Sequence, residues 1–127
     1  MKISHLDHLV LTVEDINKAC DFYNQILNFE IVSFGSDRKA LKFGKQKINL
    51  HQAGKEFEPK AEHPTKGSAD LCFIAETSLD LIVKQLNDLN IHIENGPIQR
   101  TGARGNIMSV YIRDLDRNLI EISNYIT

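Results

Sequence analysis

Four side chains carry the chemistry that this sequence could perform. His8 lies in LDHLVLTV, His51 in INLHQ, Asp70 in ADLCFIA and Glu121 in NLIEISN. In the last stretch Ile120 and Ile122 alternate with Leu119, Glu121 and Ser123, the period-two pattern of a strand with one buried face. An ionised glutamate among such apolar neighbours needs a compensating positive charge, either a basic side chain or a metal ion. Two imidazoles and a carboxylate are a donor set that Zn, Ni, Mn or Fe(II) accepts. A carboxylate not engaged by a metal, Glu121 or Asp70, can instead carry a proton as a general base.

These residues are positioned by a regular succession of elements. Leu6 to Val13 reads as a strand, with Leu9, Leu11 and Val13 on one face and His8, Val10 and Thr12 on the other. Asp15 is an N-cap for a helix whose apolar positions are Ile16, Ala19, Cys20, Tyr23, Ile26 and Leu27, and Asn28 suits its left-handed end. Strands follow near Phe29 to Phe34, Lys39 to Phe43 and Lys47 to His51, separated by turns at Gly35-Ser36-Asp37 and Gly44-Lys45-Gln46. From Gln52 to Ser68 the chain is charged and carries two prolines and two glycines, the texture of a connector long enough to cover a site. Beyond it, Ala69 to Ala75 is a strand, Ser78 caps a helix ending at Asn90, and Ile91 to Glu94 is a short strand. A loop bearing Gly96, Pro97, Gly102 and Gly105 then leads to Met108–Ile112 and the final strand.

The order β-α-β-β-β therefore occurs twice. An offset of 62 carries Leu9-Val10-Leu11 onto Leu71-Cys72-Phe73, Leu27-Asn28-Phe29 onto Leu89-Asn90-Ile91, and His8 onto Asp70. After the longer second loop an offset of 70 carries the turn at Gly44 onto that at Asp114, and His51 onto Glu121. The expected fold is α+β, with two βαβββ modules forming cupped mixed sheets. A single domain spans residues 1–127, with module one at about 4–52, a connector at 53–67 and module two at about 68–126.

Composition narrows the function classes. The 127 residues are 42% hydrophobic and 25% charged, with a net charge of -2, a balance that recruits neither nucleic acid nor an acidic membrane. With no leader-like segment and no apolar run able to span a bilayer, a cytoplasmic location is expected. Cys20 and Cys72 lie in element patterns without CxxC spacing and are expected as buried free thiols. Arg100 and Arg104 beside Thr101, and Arg38 beside Lys39, either hold an anionic group of a substrate or are solvated loop charges. His5 and His63 read as surface residues, and GKEFEPK as a charged surface run or a lid.

Four motifs, LDHLVLTV-ED, FYNQILNFE, INLHQ and VYIRDLDRNLIEIS, occur in this order over nearly the whole chain. In this the sequence resembles the vicinal-oxygen-chelate superfamily, which includes glyoxalase I, bleomycin-resistance proteins and extradiol dioxygenases. The resemblance implies the glyoxalase/bleomycin resistance/dioxygenase-type fold. It also implies one divalent metal ion held by His8, His51 and Glu121, with Asp70 at a fourth position where many members have His. Asp70 is then a fourth ligand, a partner to a ligating His, or a plain strand residue. The implied activity is metal-dependent chemistry on a small substrate chelated through vicinal oxygens, in the manner of a glyoxalase-like lyase or isomerase. The alternatives are a ring-cleaving dioxygenase and a metal-free binding protein. A homodimer sharing its sites across a twofold is also implied. The family's usual DPDGN turn is DLDRN here, which places Arg117 where a left-handed backbone would favour glycine.

Overall fold

The computed structural model describes residues 1–126, which form two compact units, the first ending at Gly67 and the second beginning at Ser68. In unit one, β1 (His8–Val13) leads into α1 (Ile16–Leu27), followed by β2 (Glu30–Phe34), β3 (Arg38–Phe43) and β4 (Gln46–Gln52). The sheet order is β1-β4-β3-β2, with β1 parallel to β4 and the other pairs antiparallel. Asp15 caps α1 by accepting from the Lys18 amide at 3.0 Å, and Asn28 ends it in the left-handed conformation. One face of the sheet packs under this helix, burying Leu11, Val13, Leu41, Ile48 and Leu50 with Ala19, Cys20 and Tyr23. Tyr23, Phe29 and Phe43 stack in series at centroid separations of 5.8 and 4.5 Å.

Unit two repeats the plan with β5 (Asp70–Ile74), α2 (Leu79–Asp88), β6 (Asn95–Thr101), β7 (Asn106–Arg113) and β8 (Leu119–Tyr125), in the order β5-β8-β7-β6. Its core joins Leu79, Ile82 and Leu86 of the helix to Val110, Ile112, Ile120 and Ile122 of the sheet. The α+β fold of two βαβββ sheets is thus as expected from the repeat.

Several details differ from the expectation. Residues 91–94 form no strand, and β6 runs instead through Gly96 and Pro97, where a loop was expected. A proline is tolerated there because β6 is an edge strand, and its pairing with β7 is interrupted between Asn95 and Ile98. Gly96 is required, since a Cβ there would collide with the Ser109 carbonyl oxygen. Ser78 occupies the N-cap of α2 but its side chain makes no cap bond, and the Leu79 amide donates instead to Asn124 Oδ1 at 2.7 Å. Cys72 is exposed on the sheet, not buried, because its side chain takes the face opposite α2.

Candidate functional site

Each sheet covers one face with its helix and leaves the other face to carry the polar residues. In unit one the pairings Val10↔Asn49 and Thr12↔His51 put His8, Val10, Thr12, Lys47, Asn49 and His51 on that second face. His8 is half exposed, and its Nδ1 lies 2.8 Å from Asp7 Oδ2. The carboxylate can only accept, so Nδ1 bears a proton, and in the neutral imidazole the lone pair is on Nε2. The same hydrogen bond holds the Asp7 carboxyl below its ordinary pKa.

His51 is buried and faces a cation. Arg38 Nη2 donates to its Nε2 at 3.4 Å, while the Arg38 guanidinium sits 4.9 Å from the Phe34 ring and 4.7 Å from the Phe57 ring. Burial, and after it the Arg38 charge, hold the imidazole below its ordinary pKa of 6.5 and keep it neutral at pH 7. Phe57 comes from the connector and meets the His51 ring edge-on at 5.6 Å, so that segment does fold over the polar face of its own unit.

In unit two the open face carries a directed chain of hydrogen bonds. Ser109 Oγ donates to Glu121 Oε2 at 2.6 Å and lies 2.6 Å from Ser123 Oγ, which in turn lies 3.5 Å from Cys72 Sγ. Each hydroxyl has one proton to give. With Ser109 committed to Glu121, Ser123 donates to Ser109, and Cys72 Sγ lies within hydrogen-bonding reach of both Ser123 and Glu121. Burial of its sulfur pushes the Cys72 pKa up and keeps the thiol protonated. Beside this chain lies a cleft of about 300 Å³ lined by Asp70, Glu94, Arg100, Tyr111 and Glu121 among others. Arg100 Nε donates to the Tyr111 hydroxyl at 3.0 Å at its edge, and Arg113 closes a two-pronged pair with Glu94 at 2.9 and 3.0 Å. Arg104 is not among the residues lining this cleft and packs over the Tyr125 ring at 4.5 Å.

The turn before β8 explains how Arg117 is accommodated. Asp114 Oδ1 accepts from the amides of Asp116 and Asn118 at 3.0 and 2.9 Å, Asp114 Oδ2 accepts from Asn118 Nδ2 at 2.8 Å, and Asn118 Oδ1 accepts from the Ala69 amide at 2.9 Å. This buried lock holds Arg117 at φ 70°, the left-handed conformation anticipated for that position.

Strand pairing also corrects the internal arithmetic. Val10 pairs with Asn49 in unit one, and Cys72, its counterpart 62 residues on, pairs with Glu121 in unit two. The counterpart of Glu121 is therefore Asn49, and that of His51 is Ser123. A slip of two residues leaves every side chain on the same face, so alternation alone cannot detect it. Sequence reasoning accordingly missed Asn49, and with Ser109 and Ser123 it missed the hydroxyl chain, whose members are unremarkable in type and meet only through β7–β8 pairing.

A family model, the Glyoxalase/Bleomycin resistance protein/Dioxygenase superfamily, matches residues 5–122, and the chain belongs to this family. It is 57% identical over 126 residues to virulence protein STM3117 of Salmonella typhimurium, covering 99% of this chain and 88% of that protein. The structure of an integron cassette protein from V. cholerae superposes with a TM-score of 0.96 at 58% identity, over 98% of both chains. A lactoylglutathione lyase from Agrobacterium tumefaciens shares the fold at a TM-score of 0.75 and 24% identity, over 97% of this chain and 95% of that one.

Members of this superfamily often use a divalent metal, so the donor set can be weighed against one. Among the described residues no three His, Cys, Asp or Glu side chains gather into a metal-holding group. Taken singly, His8 presents a free Nε2 with its other nitrogen braced by a carboxylate, an arrangement that suits a ligating histidine. Glu121 is fixed by Ser109, has the Cys72 thiol as a second hydrogen-bonding neighbour, and lines the cleft. His51 would first have to release Arg38, whose charge repels a cation. No helix among the described residues is long and apolar enough to cross a membrane.

Proposed function

We propose that the protein is an enzyme of its superfamily that moves a proton on a small, oxygen-rich substrate, with lyase or isomerase chemistry of the glyoxalase kind. The observation that carries this reading is Glu121, a carboxylate on a strand beside apolar residues, oriented by Ser109 and opening on the cleft with Asp70. Glu121 is the proton acceptor, and Ser109 keeps the active lone pair turned toward the substrate. Arg100, steadied by Tyr111, binds an anionic or carbonyl oxygen of that substrate. His8 and Glu121 are the proposed metal ligands. Asp70 is an oxygen donor or a second base, and His51 would join the ligands only after leaving Arg38. A divalent ion held by these groups would supply Lewis-acid stabilisation of the oxyanion formed on proton removal. Chain-shared sites in a homodimer belong to the same proposal.

Metal analysis of the purified protein tests the reading. Stoichiometric divalent metal in the natural protein, lost in a His8→Ala, Glu121→Ala double variant, supports it. Equal metal in both proteins, or none in either, counts against it.

A further inference from the structure

The open face of unit one holds two polar atoms that the chain itself leaves unsatisfied. Asn49 is only 6% exposed, and its Oδ1 has no hydrogen-bond partner; the Nε of Arg38 is likewise buried and unpartnered. The two side chains share this face of adjacent strands, because Asn49 pairs with Ala40, two residues along β3 from Arg38. One atom is an orphaned acceptor and the other an orphaned donor with a positive charge. Buried groups of this kind are nearly always satisfied in proteins.

The surroundings define what would satisfy them. Phe34 and Phe57 flank the guanidinium, and His51 takes one of its outer N–H groups, so Arg38 is fixed in orientation while its Nε–H stays unused. Lys47 lies on the same face, its Nζ 4.2 Å from the Phe34 ring, and adds a second positive charge. A bare anion would satisfy Arg38 and leave the Asn49 oxygen stranded. An uncharged alcohol could bridge the two atoms but would leave the Arg38 and Lys47 charges without a counter-ion.

We propose that this face is a binding site for a small organic oxyanion that carries a hydroxyl or amide N–H donor next to its charge, an α-hydroxy carboxylate being the simplest member. The anionic oxygen accepts from Arg38 Nε, and the adjacent hydroxyl donates to Asn49 Oδ1. Phe57, on the connector, covers the bound molecule. The site requires no metal and is built from residues of unit one, of which His51 alone has a part in the proposed activity, so binding is tested without reference to catalysis.

Glycolate and acetate differ only by the hydroxyl, and they form the test. The full chain, stripped of metal with chelator and labelled with ¹⁵N, is titrated with each while the amides of Arg38, Asn49 and His51 are followed. Glycolate is expected to saturate these shifts at a concentration roughly tenfold below that of acetate, the factor that one buried hydrogen bond supplies. Asn49→Leu is expected to erase the difference between the two while retaining a well-dispersed spectrum. Arg38→Gln should abolish both titrations, and Arg38→Lys, which keeps the charge but lacks the Nε–H, should weaken both. Equal saturation by glycolate and acetate in the natural protein overturns the proposal. So does the absence of any shift at these amides, or a crystal grown in glycolate in which a water alone bridges Arg38 and Asn49.

Discussion

His51 and Ser109 show how single residues on these faces couple chemistry to stability. The folded-state pKa of His51 lies below its ordinary 6.5, through burial first and the Arg38 charge second. The unfolded chain therefore binds a proton that the folded chain refuses, over the interval from 6.5 down to the lowered value. The stability linked to this refusal is fully present above pH 6.5 and is lost as pH falls through that interval. Chemical denaturation of the natural protein and of His51→Gln, measured between pH 7.5 and 5, should show a steeper acid-side loss for the natural protein. Parallel curves would contradict this. Ser109 is fully buried and serves Glu121 and Ser123 at once. Ser109→Ala removes the hydroxyl that donates to Glu121 and accepts from Ser123, and should cost about 1–3 kcal/mol of unfolding free energy. If Glu121 is the base, the variant should also lower kcat more than it raises KM, which a purely structural role would not produce.

Secondary-structure elements were legible to different depths, and the reason is the range of the signal. Asp15 and Asn28 bracket α1 with local chemistry, and both act in the structure as the sequence indicates. Ser78 carries the same local signal at α2 yet makes no cap bond, and the first helical amide, that of Leu79, is held instead by Asn124, 45 residues away. Asn124 also donates to the carbonyls of Ala75 and Thr77, so it ties β8 to the whole entry into α2. Asn124→Ala should cost about 1–3 kcal/mol, whereas Ser78→Ala should stay within about 0.5 kcal/mol of the natural protein. Thermal unfolding of the two variants side by side decides this, and equal losses would refute it. The strand β6 was missed for the opposite reason: Gly96 and Pro97 are turn residues by local rule, and only the edge position makes them acceptable in a strand. At the turn before β8 local reasoning did succeed. Arg117 is left-handed, so Arg117→Gly should stabilise the protein by about 1 kcal/mol, since the bond that its carbonyl accepts from Arg113 is kept.

At the scale of the molecule, the duplication was readable because each unit repeats a strand-helix period that hydrophobic spacing reports directly. What spacing could not report was register along a face, which is why Asn49 was hidden behind His51. It also could not report which open faces are left bare. Val10 is 45% exposed and Ile74 51% exposed, each on the face of its sheet opposite the helix. Apolar side chains standing on a sheet face are more favourable when covered, and a second copy of the chain is the covering that the proposed homodimer provides. Sedimentation at micromolar concentration is then expected to give a dimer. Val10→Asp and Ile74→Asp, each placing a charge where the partner would pack, should shift the equilibrium toward monomer by at least tenfold, about 1.4 kcal/mol, without unfolding either unit. If the natural protein sediments as a monomer, the dimer and its shared sites are ruled out, while the anion site on unit one, built from one chain alone, is untouched.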